Sequence, residues 1–387
     1  MQIAILGRQP KISLAELESL YGAENITPIA EYAACVRTDI VLPQARLGGT
    51  LKSAKILTRL ENTDLLASFA YLQTMVPERL QYLPEGKLQL GISIYGNKAQ
   101  RNWLLKQMLM LKKLIKKSGR SVRIIENRSE ALESAQVLYN KLTGPLGWEL
   151  LLVQDGSDMI VAQTTGVQNI DEYGKRDFGR PKRDAFVGML PPKLAQIMIN
   201  LSRPEESDRI LDPFCGTGVV LQEALLQGNS TYGTDISEKM VEYTRDNLHW
   251  LQEQYGIVCE WYLETGDATS HTWIQPIDAV VGETYLGKPL TSLPEKGRLL
   301  EIVTESNTIT TMFLKNVAPQ LKKGTRLCLA LPAWHLGNDT FLHLDVLDQL
   351  GDLGYNRLDL NHSTQSELIY HRPEQVVARE LTILERT

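Results

Sequence analysis

One stretch constrains this chain more than any other: ILDPFCGTGVV, residues 210–220. An apolar run ends at Asp212, Gly216 and Gly218 allow a tight turn, and apolar spacing resumes at Val219. A buried strand that enters a helix through a glycine-rich turn is a unit of an open α/β sheet. Ligands bind such sheets at the carboxyl ends of the strands. The turn is not GxGxxG and lacks the GK[ST] of a phosphate-binding loop. It suits a nucleotide without a pyrophosphate better than a dinucleotide or ATP.

The alternation around it extends over residues 184–387. GMLPPKLAQIMINLS, VVLQEALLQG and EKMVEYTRDNLHWLQEQYG read as helices. STYGTDIS, CEWYLETGDAT, IDAVVGETYLG and TRLCLALPAW read as strands, and RPEQVVARELTIL as the final antiparallel strand pair. This pattern predicts a mostly parallel, doubly wound sheet.

Upstream, residues 1–65 form a small α+β module, with IAILG as a strand and Ser13 capping the helix LAELESLYG. Residues 66–166 form a second. Its helix QRNWLLKQMLMLKKLIKKSG places Leu104, Leu105, Met108, Leu111 and Ile115 on one face and Lys106, Lys113 and Lys117 on the other. Ser129 is the expected cap of SEALESAQVLYNKL, and WELLLVQDGSDMIVAQTT is a hairpin turning at Asp155-Gly156. Residues 167–183 read as a basic linker.

Charge is segregated along the chain. The formal net charge is −5, yet residues 98–141 hold eleven Lys or Arg against three Glu. A solvated helix face would mix the signs, so this is the footprint of a polyanion partner. Arg372 and Arg379, on the final strand pair, are placed facing a nucleic acid or solvent. The cysteines Cys35, Cys215, Cys259 and Cys328 contain no CxxC pair, and the six histidines do not cluster. No metal site or disulfide framework is expected, and a reducing, cytoplasmic setting is. MQIAILGRQPK does not read as a signal peptide, and no apolar run approaches a membrane span.

Three further acids close strands. Asp235 lies 23 residues after Asp212, where a carboxylate can accept from both ribose hydroxyls, and Asp267 in TGDAT can accept from an adenine amino group. Helix capping is the other reading of each. Glu283 sits in AVVGETYLGKP, residues 279–289, at the mouth of a buried strand, where a carboxylate costs free energy unless something needs it.

DPFCGTG, GTDIS and GDA in this order resemble S-adenosylmethionine-dependent methyltransferases that modify exocyclic amines. QNIDEYGKRDFGRPKRDAFVGMLPPKLAQIMINLS and LESAQVLYNKL extend the resemblance to the THUMP-domain tRNA guanine-N2-methyltransferases of the guanosine-10 type, over essentially the whole chain. The resemblance implies a Rossmann-like methyltransferase domain at 184–387, after a ferredoxin-like module at 1–65 and a THUMP module at 66–166. It implies that Asp212, Pro213, Phe214, Cys215, Gly216 and Gly218 hold the methionine part of S-adenosylmethionine, with Pro191 near its end. Asp235 and Ile236 would hold the ribose, and Asp267 and Ala268 the adenine. tRNA is the implied partner, met by Lys106, Lys113, Lys117, Arg123, Lys141 and Arg180. A small activating subunit is compatible with the resemblance.

The chain departs from the family where the fourth strand should end in Asp-Pro-Pro-Tyr-Gly. The ungapped register puts Glu283 on the acid, Thr284 and Tyr285 on the prolines and Gly287 on the glycine. A shifted register aligns Tyr285 with the tyrosine and Gly282 with the acid. The first retains acid and glycine, and makes Glu283, Thr284 and Tyr285 the catalytic candidates. Without the prolines the loop is expected to be freer, with Tyr285 able to stack on an extruded base. The competing expectations are a tRNA-binding protein with changed or lost catalysis, and an amine methyltransferase acting on DNA or another RNA.

Overall fold

The computed structural model describes residues 1–184, 190–338 and 340–387. The chain divides into two units, 1–171 and 172–387.

The first unit contains β1 (Gln2–Leu6), α1 (Pro10–Tyr21), β2 (Ile26–Ala30), β3 (Ala33–Val36), β4 (Thr50–Leu60), α2 (Leu65–Arg79), β5 (Leu88–Tyr95), α3 (Arg101–Lys117), β6 (Val122–Ile124), α4 (Ser134–Tyr139), β7 (Gly147–Asp155) and β8 (Asp158–Val167). All eight strands belong to one sheet, ordered β2-β3-β1-β4-β8-β7-β5-β6. Residues 1–65 and 66–166 therefore do not carry separate sheets. The long β4 pairs antiparallel with β8 from Lys52↔Val167 to Leu60↔Met159 and joins them.

Helix α3 buries the stripe read from its spacing: Leu104, Met108, Leu111 and Ile115 pack with Phe69 and Leu72 of α2 and Leu88 and Leu90 of β5. Lys106, Lys113 and Lys117 stay exposed. Two caps differ from expectation. Helix α1 starts at Pro10, leaving Ser13 inside it, because a proline at the first helical position costs no hydrogen bond. Helix α4 starts only at Ser134, where Glu133 N–H donates to Gln136 Oε1 at 3.1 Å, and Ser129 lies well before it. The β7–β8 loop is Gly156-Ser157, since Asp155 pairs with Asp158.

The second unit contains most of α5 (Ile170–Phe178), then α6 (Pro192–Ser202), β9 (Arg209–Asp212), α7 (Val219–Leu226), β10 (Ser230–Asp235), α8 (Glu238–Tyr255), β11 (Trp261–Thr265), β12 (Ala279–Glu283), α9 (Lys296–Val317), β13 (Arg326–Gly337), β14 (Thr340–Leu342), β15 (Tyr355–Arg357), β16 (Ile369–Tyr370) and β17 (Val377–Arg386). The helix expected from residue 188 starts at Pro192 among the described residues; Gly188 and Met189 lie outside them. The sheet runs β11-β10-β9-β12-β13-β17-β15, with β14 on β13 and β16 on β17. Its first five strands are parallel, and β17 is antiparallel to β13 and β15. The expected linker is largely helix α5, and its Arg176 and Arg180 are buried.

Candidate active site

Strands β10, β9 and β12 are neighbours, and each ends in an acid: Asp235, Asp212 and Glu283. The pairings Asp212↔Gly233, Leu211↔Val280, Glu283↔Ala330 and Pro332↔Arg379, with the two-residue alternation of strands, put all three acids and Arg379 on one face.

Asp212 is 2% exposed and accepts from Phe214 N–H at 3.1 Å. A Cβ on Gly282 would lie 2.7 Å from Asp212 Oδ1, so the carboxylate rests directly on the backbone of β12. Burial pushes the Asp212 carboxyl well above the usual range, and Asp235 and Glu283 add to the shift. Asp235 accepts from Gly216 N–H at 3.0 Å and Ser237 N–H at 2.9 Å. Burial raises its pKa, and those two donors oppose the rise. Beside it Ile236 is 72% exposed, an apolar platform at the strand end.

The turn between β9 and α7 is braced from α8. Gly218 has φ 81°, and a Cβ there would meet Thr244 Cγ2 at 2.7 Å. Thr244 Oγ1 donates to Gly216 O at 2.8 Å, and Asn247 Nδ2 to Thr217 O at 2.9 Å. Cys215 is buried, its N–H donating to Thr234 O at 2.9 Å, and the Phe214 ring meets Phe313 edge-on at 5.1 Å. Pro213 is buried, and Pro191 precedes α6 half-buried. Asp267 is exposed and caps its own turn, with Oδ1 accepting from Thr269 N–H at 2.9 Å and Thr269 Oγ1 at 2.7 Å. Ala268 is buried beside it.

Glu283 is not a loop acid in solvent. It forms an ion pair with Nε of Arg379, the two side chains being 12% and 7% exposed. Arg379 on β17 thus faces the site rather than solvent or RNA, which corrects the expectation for it. Pro332, its register partner on β13, separates it from β12 by one strand, and a long guanidinium spans that distance. Thr284 is also corrected. Its polar atoms are used within the sheet: the buried residue's N–H and Oγ1 both donate to Ala330 O, at 3.1 and 3.4 Å. Two bonds to β13 hold the loop where rigid prolines were expected to be missed. Tyr285 is half-buried; burial and the Glu305 carboxylate raise its phenol pKa. Trp334 is fully buried, and His335 stacks against Phe341 and His371, so LPAWHLG is a packed segment.

In the first unit Arg123 and Lys141 line a cleft of about 480 Å³ with Lys87, Gln89, Tyr139 and Asn140. Lys87 and Tyr139 were not singled out from the sequence: Lys87 lies before the basic stretch 98–141, and Tyr139 carries no charge. Arg180, expected among the RNA-facing cations, is 3% exposed and is not part of the outer charged surface. Among the described residues no three His, Cys, Asp or Glu side chains are grouped to hold a metal, and no helix is long and apolar enough to cross a membrane.

This second unit matches known proteins. Residues 180–333 match a family model described as an RMKL-like methyltransferase domain, and residues 96–246 match one described as a DNA methylase, which crosses the boundary between the units. A tRNA (guanine(10)-N2)-dimethyltransferase of Methanothermobacter thermautotrophicus is 37% identical over 155 residues, 40% of this chain and 42% of that protein. A probable tRNA (guanine(10)-N2)-dimethyltransferase of Methanothermococcus thermolithotrophicus is 36% identical over 115 residues, 28% of this chain and 68% of that protein. The chain belongs to the tRNA (guanine(10)-N2)-dimethyltransferase family. It spans less than half the length of the first of these family members in the match. The crystal structure of TrmN from Thermus thermophilus superposes with a TM-score of 0.56 at 16% identity, covering 100% of this chain and 99% of that one. The fold is that of a Rossmann-like methyltransferase.

Proposed function

We propose that this chain is an S-adenosylmethionine-dependent tRNA methyltransferase that modifies a base exocyclic amine, N2 of guanosine 10. The observation that carries the reading is the Glu283–Arg379 pair at the end of the strand next to the glycine turn.

The residues present fit the cofactor. Asp212 and Asp235 set two carboxyl groups beside the paired Glu283, and a ligand carrying a sulfonium and an ammonium favours their ionised forms. Asp235 is already oriented by two backbone donors and keeps lone pairs for ribose hydroxyls, with Ile236 exposed beside it for the adenine. Asp267 retains a second carboxylate oxygen for the adenine amino group, so capping and binding are compatible there. When bound, S-adenosylmethionine supplies an electrophilic methyl group.

Glu283 is the group that answers it. The lone pair on guanine N2 is delocalised into the ring, and positive charge grows on nitrogen as it attacks. A carboxylate accepting from the amine stabilises that charge. Arg379 fixes one oxygen of Glu283 and leaves the other to accept from the amine. Thr284 holds the loop to β13, and Tyr285 offers its ring to the extruded base. The ungapped register is favoured, because Glu283 closes the strand and Gly282 is occupied by contact with Asp212.

Residues 66–166 are proposed as the RNA-gripping THUMP module, supported by the exposed lysines of α3 and the cleft around Arg123 and Lys141. The match to a DNA methylase model favours a second reading, amine methylation of DNA. Labelled methyl transfer to unmodified tRNA transcripts and to DNA duplexes, with nucleosides identified by mass, separates them. The expected product is N2-methylated guanosine in tRNA alone. A methylated adenine or cytosine in DNA would overturn the proposal.

A further inference from the structure

Arg180 is the most anomalous side chain of the second unit. It is 97% buried, since only 3% of its surface is exposed, and among the described residues Nε, Nη1 and Nη2 all lack a hydrogen-bond partner. An arginine remains charged in proteins, and an unpaired buried charge is costly. Burial lowers its pKa, Asp177 and Glu223 oppose that effect, and Arg183 adds to it. Neither acid closes a hydrogen bond to it.

Its neighbours in sequence are tied to the glycine turn. Arg176 Nε donates to Glu223 Oε1 at 2.6 Å, and Glu223 stands on α7, the helix that leaves the turn. Lys182 exchanges two hydrogen bonds with the Asn247 amide, at 2.9 and 3.0 Å, and that amide also donates to Thr217 O at 2.9 Å. Asp184 pairs with Lys239 in the first turn of α8 at 3.0 Å. Residues 176–184 are thereby fastened along the turn and the two helices that flank it. Helix α7 begins at Val219, and the first N–H groups of a helix lack intrahelical acceptors.

We infer that Arg180 is the anion anchor of this site and receives the α-carboxylate at the amino-acid end of the nucleoside cofactor. A guanidinium presents a planar fork of donors that matches a carboxylate. A small carboxylate entering beside the turn can meet a side chain that an RNA phosphate, on a bulky backbone, cannot reach. The inference rests on the cofactor proposed above and adds the recognition of its carboxylate.

The test is calorimetric binding, without any methyl transfer, of S-adenosylmethionine and of decarboxylated S-adenosylmethionine, which keeps the sulfonium and loses only the carboxylate. Wild-type protein is expected to prefer the carboxylated form by roughly 10- to 100-fold, the range of a charge-assisted hydrogen-bond pair. Arg180→Met is expected to erase that preference, to bind the decarboxylated form as tightly as wild type, and to keep or raise the melting temperature of the free protein. Arg180→Lys is expected to restore part of the preference, which separates loss of charge from loss of packing. Equal weakening of both ligands, or an undiminished preference in Arg180→Met, would overturn the inference. So would weakened tRNA binding with cofactor binding intact, which would assign the guanidinium to a phosphate. Failure of wild type to bind either ligand would overturn the cofactor reading itself.

Discussion

Glu283 and Arg379 are 96 positions apart and meet as a largely buried pair, so each explains the other's tolerance of burial. Glu283→Gln keeps the shape and removes the charge. Its turnover is expected to fall by about 10²-fold or more, as for a lost stabiliser of developing charge, with cofactor affinity within twofold of wild type. An active Glu283→Gln enzyme in single-turnover assays would refute the role given to it. Arg379→Met strands a buried carboxylate and is expected to destabilise by about 3 kcal/mol, the scale of a broken buried pair. The double variant Glu283→Gln/Arg379→Met should recover most of that stability and none of the turnover, which chemical denaturation and kinetics measure separately.

Asp212 sets the pH response. Its carboxyl is raised in the free protein, chiefly by burial, so the folded state holds its proton where the unfolded chain has lost it. The sign follows from linkage. Stability of the free protein falls as pH rises above the ordinary carboxylate range of about 4, and a cationic cofactor, which favours the ionised form, binds more tightly as pH rises over the same interval. Binding should therefore release protons, visible as a buffer-dependent calorimetric enthalpy. Asp212→Asn should bind without that release. A wild-type enthalpy independent of buffer would contradict the account.

At the scale of elements, α3 shows what periodicity can tell. Its buried stripe and its lysine face were both legible, because a helix converts spacing directly into sides. Helix starts were not: Pro10 displaced Ser13, and the Glu133–Gln136 contact displaced Ser129. The acids that end β9, β10 and β12 were legible from the pattern apolar run, acid, turn, whereas Asp267, read as closing a strand, lies in the turn after β11, which ends at Thr265. Arg379 was not legible, because its partner is chosen by sheet order across β13, and no local pattern encodes that. Arg180 sat in a charge-rich tract that reads as solvated, and only the packing of 176–184 along α7 and α8 removes it from water. If the α3 face grips RNA, reversing Lys106 and Lys113 to Glu should weaken tRNA binding across all sequences. It should also reduce the slope of log affinity against log salt by about 1 per lysine, with cofactor binding unchanged. Undiminished tRNA affinity in filter binding at two salt concentrations would remove α3 from the interface.

At the scale of the whole molecule, the division of labour follows from where the apolar residues go. The core around Phe69, Leu90 and Met108 lies wholly within residues 1–171, and the core around Phe313, Leu329 and Trp334 wholly within 172–387. Each unit buries its own apolar surface, and every residue assigned to the cofactor belongs to the second. A ligand that binds only the folded form stabilises it by about 2.7 kcal/mol at a hundred times its dissociation constant. Amide exchange under conditions of global opening should then slow by about 100-fold in β9, β10 and β12, the strands that end at the site. The strands β5, β7 and β8 of the first unit should exchange at unchanged rates. Equal slowing in both sheets would mean that the two units open together, and the cofactor would then be stabilising the first unit as well as its own.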